Sequence, residues 1–235
     1  MNLSKKQWMI SGITVLILGV LGAAGWLSYS KRIPAFPINA KDSIASWTFK
    51  GAYTGNDTLI SQANADIAHL QSLLGKGQYD DYDLYIGLGN DKNLEGDGRA
   101  AYDNYNRAAA IHASKGLAFA NLGHLMDELG APYTAADAYA KAVAAEPGQL
   151  EYHIEQLTYL TRQFPNDSAR LLVAFTDAST QFGDTAPILA IEARWLTGLK
   201  RYPDAIKAWE RVKLLSPGKD TSAIDTEIAR LKAKQ

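Results

Sequence analysis

From residue 57 onward, apolar side chains recur at three- and four-residue intervals, the period of a helix buried along one face. Leu59, Ala63, Ile67, Leu70 and Leu74 form the first such stripe, with Asn56 or Asp57 to cap its start and Gly75 to end it. Further on, Ala101, Ala135, Ala169 and Ala205 stand 34, 34 and 36 residues apart. Each is followed at +4 by a larger residue (Tyr105, Tyr139, Val173, Trp209) and at +7 by Ala108, Ala142, Thr176 or Val212. Those offsets share one helix face. Twelve residues upstream stand Gly89, Gly123, Leu157 and Ala193, three of them small, on what reads as a partner helix. A small residue lets the partner approach closely, and the aromatic fills the gap beside it. Twelve residues downstream, Pro147 and Pro217 close two of the copies. A period near 34 residues predicts stacked helix pairs, each pair burying its apolar face against the next.

The stretch Phe119, Leu122-Gly123, Met126, Ala135, Tyr139, Ala142, Pro147 resembles a tetratricopeptide repeat (TPR). Leu189, Ala193, Leu196, Ala205, Trp209, Val212, Pro217 resembles it nearly as well, and Tyr85, Leu88-Gly89, Ala101, Tyr105, Ala108 is a third copy. Residues 150–183 are the weakest copy, with His153 and Leu157 at positions that are usually apolar and small. The resemblance implies an all-α fold, a TPR-like right-handed superhelix of antiparallel helix pairs. The repeats fall at about 82–115, 116–149, 150–183 and 186–218, within a solenoid spanning 57–235. A lead-in helix at 57–75 and a closing helix at 220–234 would cover its ends. Ser222 with Asp225 reads as a capping box for the closing helix, and Ile224, Ile228 and Leu231 as its stripe.

The N-terminal region has a different pattern. Met9 to Leu27 is an uncharged run long enough to cross a bilayer as a helix, flanked by Trp8, Trp26 and Tyr29 and by Lys5-Lys6 and Lys31-Arg32. Residues 1–29 therefore read as a tail and single transmembrane anchor, with lipid as a partner along 9–27. A short basic tail before the first apolar run favours a cytoplasmic N-terminus and a helical array outside the cytoplasm. The competing reading is a cleaved signal peptide, for which Gly22-Ala23-Ala24 and Ser28-Tyr29-Ser30 offer small residues. Small residues inside the run (Gly12, Gly19, Gly22, Ala23, Gly25) leave a homo-oligomer possible. Residues 30–56, with Pro34, Pro37, Gly51 and Gly55, read as an extended tether. Its aromatics Trp47, Phe49 and Tyr53 are too apolar to leave in water and are expected on the first helices of the array.

The formal charge is −1, but residues 57–184 carry 8 Lys/Arg against 18 Asp/Glu, and residues 185–235 carry 10 against 6. Such a split can steer a charged partner. The chain has no cysteine, so thiolate chemistry and disulfides are excluded. His69, His112, His124 and His153 form no metal-ligand spacing, and no nucleophile elbow is present. Asp91 to Gly96 opens like a calcium loop, but Tyr102 stands where the bidentate glutamate belongs. No basic and aromatic stretch points to nucleic acid. The expectation is a non-enzymatic protein without metal or cofactor.

In TPR arrays the first helix of each pair lines the binding face. Carrying this over gives Ile86, Asn90 and Asn93; Ala120, Asn121, His124 and Asp127; Glu151, Ile154, Glu155 and Thr158; and Ala190, Arg194 and Thr197. Chaperone-binding TPR domains hold a carboxylate with two asparagines and three basic residues. Asn90 and Asn121 match the asparagines, whereas Ile86, Glu151 and Glu155 stand at the basic positions. The expected ligand is a neutral or basic extended protein segment, and the expected role a membrane-tethered scaffold or adaptor, in layout similar to anchored bacterial TPR proteins of envelope assembly or protein translocation. The alternative is a structural subunit of a larger membrane-associated assembly.

Overall fold

The computed structural model describes residues 35–234. The apolar run 9–27 lies outside them; among the described residues no helix is long and apolar enough to cross a membrane. They form ten α-helices and no strand beyond an isolated bridge between Thr48 and Asp97. The helices are α1 (Asp57–Leu73), α2 (Asp81–Glu95), α3 (Gly98–Ile111), α4 (Leu117–Glu128), α5 (Pro132–Ala145), α6 (Leu150–Gln163), α7 (Ser168–Phe182), α8 (Ala186–Gly198), α9 (Tyr202–Leu214) and α10 (Ser222–Lys232).

The termini follow local chemistry. Asn56, Asp80, Asp97 and Asp167 cap α1, α2, α3 and α7, each accepting a backbone N–H of the first turn. Prolines in the first turns of α5, α8 and α9 give up a donor that would be unsatisfied there anyway. Helix α10 departs from the sequence reading: Asp220, not Ser222, supplies the side-chain acceptor, taking the Ser222 N–H at 2.9 Å.

Pairing is antiparallel. In the first pair, Gly89 faces Tyr105 midway along, Asp80 meets His112 at the open end, and residues 96–97 make the turn. A Cβ on Gly89 would lie 2.3 Å from Tyr105 Cε1, and one on Gly123 2.8 Å from Tyr139 Cε1. These glycines are therefore a requirement of the close approach. Neighbouring pairs are joined by tyrosine hydroxyls: Tyr82 accepts the Ala118 N–H at 3.2 Å, and Tyr159 donates to the Pro132 carbonyl at 3.0 Å.

The third pair keeps its helices but not its expected face. Ala101, Ala135 and Ala205 are fully buried, whereas Ala169 is exposed and Val173 is 62% exposed. Leu171, Ala174 and Ala178 are buried instead. In every pair the buried residue is the fourth of the second helix: Ala101, Ala135, Leu171, Ala205. A four-residue connection after α6, against two or three in the other pairs, starts α7 later and turns Ala169 outward. Leu157, too large for the small position, is buried where the shifted α7 leaves it room.

Residues 36–53 form no helix and dock on the early helices of the array, as their aromatics predict, running between the second helices α3 and α5 and over the end of α2. Phe36 packs on Phe119 at 6.1 Å and Trp47 on Tyr102 at 5.2 Å, with Arg99 over the indole at 5.0 Å. Asn106 accepts the Phe36 N–H, and Tyr102 donates to the Phe36 carbonyl. Helix α5 has no cap of its own; Asp42 supplies one from 92 residues away, accepting from Thr134 N–H and Oγ1 at 2.6 Å each and from Tyr133 N–H at 3.2 Å. The segment then runs against the first turn between helices, where Phe49 N–H donates to Gly96 O and Tyr53 N–H to Leu94 O. Gly96 has φ +86°, and a Cβ there would meet the Phe49 carbonyl at 2.1 Å. The calcium-loop-like stretch is thus a helix end over which another backbone passes.

Candidate functional site

The first helices α2, α4 and α6 bring a row of polar groups together over a floor of tyrosines. Asn90 Oδ1 accepts from Asn121 Nδ2 at 3.1 Å and from Tyr105 at 2.9 Å. The two asparagines are thus linked, with amide groups left over on the open side. Next along, His124 Nδ1 lies 2.9 Å from the Tyr139 hydroxyl, its ring edge-on to the phenol at 5.3 Å. With the ring proton on Nε2, towards Glu155, the hydroxyl donates to Nδ1; with Nδ1 protonated, the phenol oxygen accepts. His124 Nε2 faces Glu155 Oε1 at 3.7 Å, beyond a formed hydrogen bond but close enough to attract. Glu155, with Glu128 and Asp127 behind it, raises the His124 pKa above its ordinary value, against the opposing effect of burial. Burial pushes the phenols of Tyr105, Tyr139 and Tyr159 well above their usual range, so they stay neutral donors.

Asp127 completes the row, paired with Arg162 and accepting from Gln163 Nε2 at 3.1 Å. Arg162 lies over the Tyr159 ring at 5.4 Å, and Tyr159 packs on Tyr139 at 4.9 Å. Sequence reasoning passed over Arg162, although 151, 155, 158 and 162 follow one helix face and the stripe had only to be extended by a turn. Its presence alters the expected charge: the acidity is concentrated at Glu151 and Glu155, while Asp127 is already neutralised.

The remaining expected residues fall differently. Glu151 is exposed one turn before Glu155, on its face. Asn93 is half-buried, its Oδ1 without a hydrogen-bond partner, and is not joined to the row. Arg194 is exposed over the Trp209 ring at 5.7 Å and borders a separate open cleft of about 580 Å³ with Arg162, Thr158 and Trp195. Ile86 and Ala120, expected on the binding face, are buried at 8% and 2% exposure, so they belong to the core. Among the described residues no group of histidines and carboxylates is placed to hold a metal ion.

No family model and no curated protein matches the chain. Among solved structures it is similar to a crystal structure of MamA protein, at 16% identity and a TM-score of 0.48, covering 66% of this chain and 89% of that one. A structure of MamA AMB-1 gives 17% identity and the same TM-score, covering 71% and 92%. The assignment as an all-α array of TPR-type helix pairs rests on the pairs themselves.

Proposed function

We propose that the array is a protein-interaction scaffold which holds a neutral or basic extended segment on its first-helix face. The observation that carries this is the row Asn90, Asn121, His124 and Glu155, in which the asparagines are hydrogen-bonded and His124 faces Glu155 at 3.7 Å. It offers amide donors and acceptors to a peptide backbone and a carboxylate to a basic side chain, above a rigid floor of neutral tyrosines. Glu151 extends the acidic character by one turn. At the other end the Arg162–Asp127 pair is neutral, so the acidity is one-sided, which gives a bound basic segment a preferred direction. No catalysis is part of this reading. The apolar run 9–27 would anchor the scaffold in a membrane, with the array outside the cytoplasm, as in an adaptor of envelope assembly or protein translocation.

The test is titration of the chain with end-blocked ten-residue peptides by fluorescence anisotropy. Lysine-containing peptides are expected to bind more tightly than aspartate-containing ones. Glu151→Lys combined with Glu155→Lys should weaken them by about tenfold, and Asn90→Ala with Asn121→Ala should weaken all of them. A preference for acidic, free C-termini would overturn the proposal.

A further inference from the structure

The second-helix side of the array carries parallel grooves, and the described residues fill the first of them. Between α3 and α5, residues 36–47 lie against Tyr102, Asn106, Phe119 and Thr134. The next groove, between α5 and α7, is open, with a volume of about 790 Å³. One period along from Tyr102 and Asn106 stand Ala136 and Ala140, whose small side chains leave that space. The register shift of α7 aims Val173, 62% exposed, into it from the other wall. Packing among the described residues leaves this apolar edge exposed to water.

The floor holds polar groups as well. His153 is 2% exposed, its Nε2 bonded to the Pro147 carbonyl at 3.0 Å and its Nδ1 without a partner. Gln156, 8% exposed, lies beside it. The rim is acidic: Asp137 and Asp177 face the groove, while the charge of Arg170 is engaged by Asp167 and by the Phe164 ring.

We infer that the groove between α5 and α7 is a docking site for an extended, basic segment of another protein, bound as the chain binds its own residues 36–47. An apolar anchor sits on Leu160 and His153 against Val173, and a lysine or arginine meets Asp177. The surface is continuous with one the chain already uses, since Asp137 bonds Asn39 of its own strap at 2.7 Å. A second copy's strap is disfavoured: its polar partners Asn106 and Tyr102 are replaced by alanine in this groove.

The test uses the full-length chain in mild detergent, carrying Glu151→Lys and Glu155→Lys to silence the first-helix face. The probes are end-blocked decapeptides with a central Phe, Leu or Trp flanked by lysines, the same peptides flanked by glutamates, and versions with alanine for the anchor. The lysine peptides are expected to bind saturably, about tenfold more tightly than the other two sets, and to protect α5 and α7 amides from exchange. Ala140→Trp, which fills the groove, and Val173→Lys should each remove about tenfold of that affinity with the melting temperature retained. Binding indifferent to Ala140→Trp, or absence of binding, would overturn the inference. So would self-association that Ala140→Trp abolishes while no peptide binds, which would assign the groove to a second copy.

Discussion

Single positions show how tightly the pairs are set. Gly123 has three Tyr139 ring carbons within 2.9 Å of where a Cβ would stand, and both helices are pinned by packing on their other sides. Gly123→Ala should cost about 1–3 kcal/mol, as overpacking does, read as a lowered urea midpoint. Gly198, the last residue of α8, has nothing within 4 Å, so Gly198→Ala should be neutral or slightly stabilising. Equal losses at both would show that the ring does not set the constraint. His124 makes the second test. Its folded pKa is raised mainly by Glu155, so the stabilisation this shift brings is full below the ordinary value of 6.5 and fades as pH rises through the folded value. Glu155→Gln should move the His124 titration down in an NMR experiment. The stability lost in that variant should be greatest in mild acid and shrink above neutrality. A titration unmoved by the substitution would mean that Glu155 is not the cause. Both small-against-aromatic positions were legible from spacing alone. The His124–Glu155 relation was not, because it joins two helices whose phase only packing fixes.

Among the elements, α7 shows where sequence reading stops. The alanine at 169 is in phase with those at 101 and 135, and a period alone puts it in the core. What decides burial is where the helix begins, and that depends on the turn Phe164-Pro165-Asn166-Asp167 with its Asp167 cap. A two-residue shift then exchanges Ala169 and Val173 for Leu171 and Phe175. Leu171→Ala should therefore cost about 2–4 kcal/mol in denaturant unfolding, while Val173→Ala should change little. The reverse ranking would restore the unshifted register. The docking of segment 36–53 on the first helices of the array was legible in its aromatics, and Trp47 packs there on Tyr102; its polar anchoring was not. Asp42 capping α5 through Thr134 joins residues 92 positions apart, and no local motif announces such a cap. Likewise no local motif shows that a Cβ at Gly98 would meet the Trp47 carbonyl at 2.7 Å.

At the scale of the whole array, the buried side chains form two clusters that divide along α8. Ile188 and Ile191 close the cluster of the first three pairs, while Leu189, Ala193 and Leu196 open a second with α9 and α10. The charge divides at nearly the same place, acidic through residue 184 and basic after it. Trp195 joins the clusters: its ring stacks on Phe175 at 5.6 Å, and its Nε1–H donates to the Pro165 carbonyl at 2.8 Å. Arg211 pairs with Asp184 across the same boundary. In an array where each pair touches only its neighbours, cooperativity is no stronger than its weakest junction. Helices α8–α10 should therefore open as a unit at lower free energy than α4–α6 in native-state hydrogen exchange. Trp195→Ala should widen that gap by about 2–4 kcal/mol, because it removes a stacked ring and orphans a half-buried carbonyl. High salt should widen it only slightly, since an exposed pair such as Arg211–Asp184 contributes little. One opening free energy for all helices, unchanged in Trp195→Ala, would show the array to be a single cooperative block. A gap set mainly by salt would transfer the coupling from the indole to the charge division.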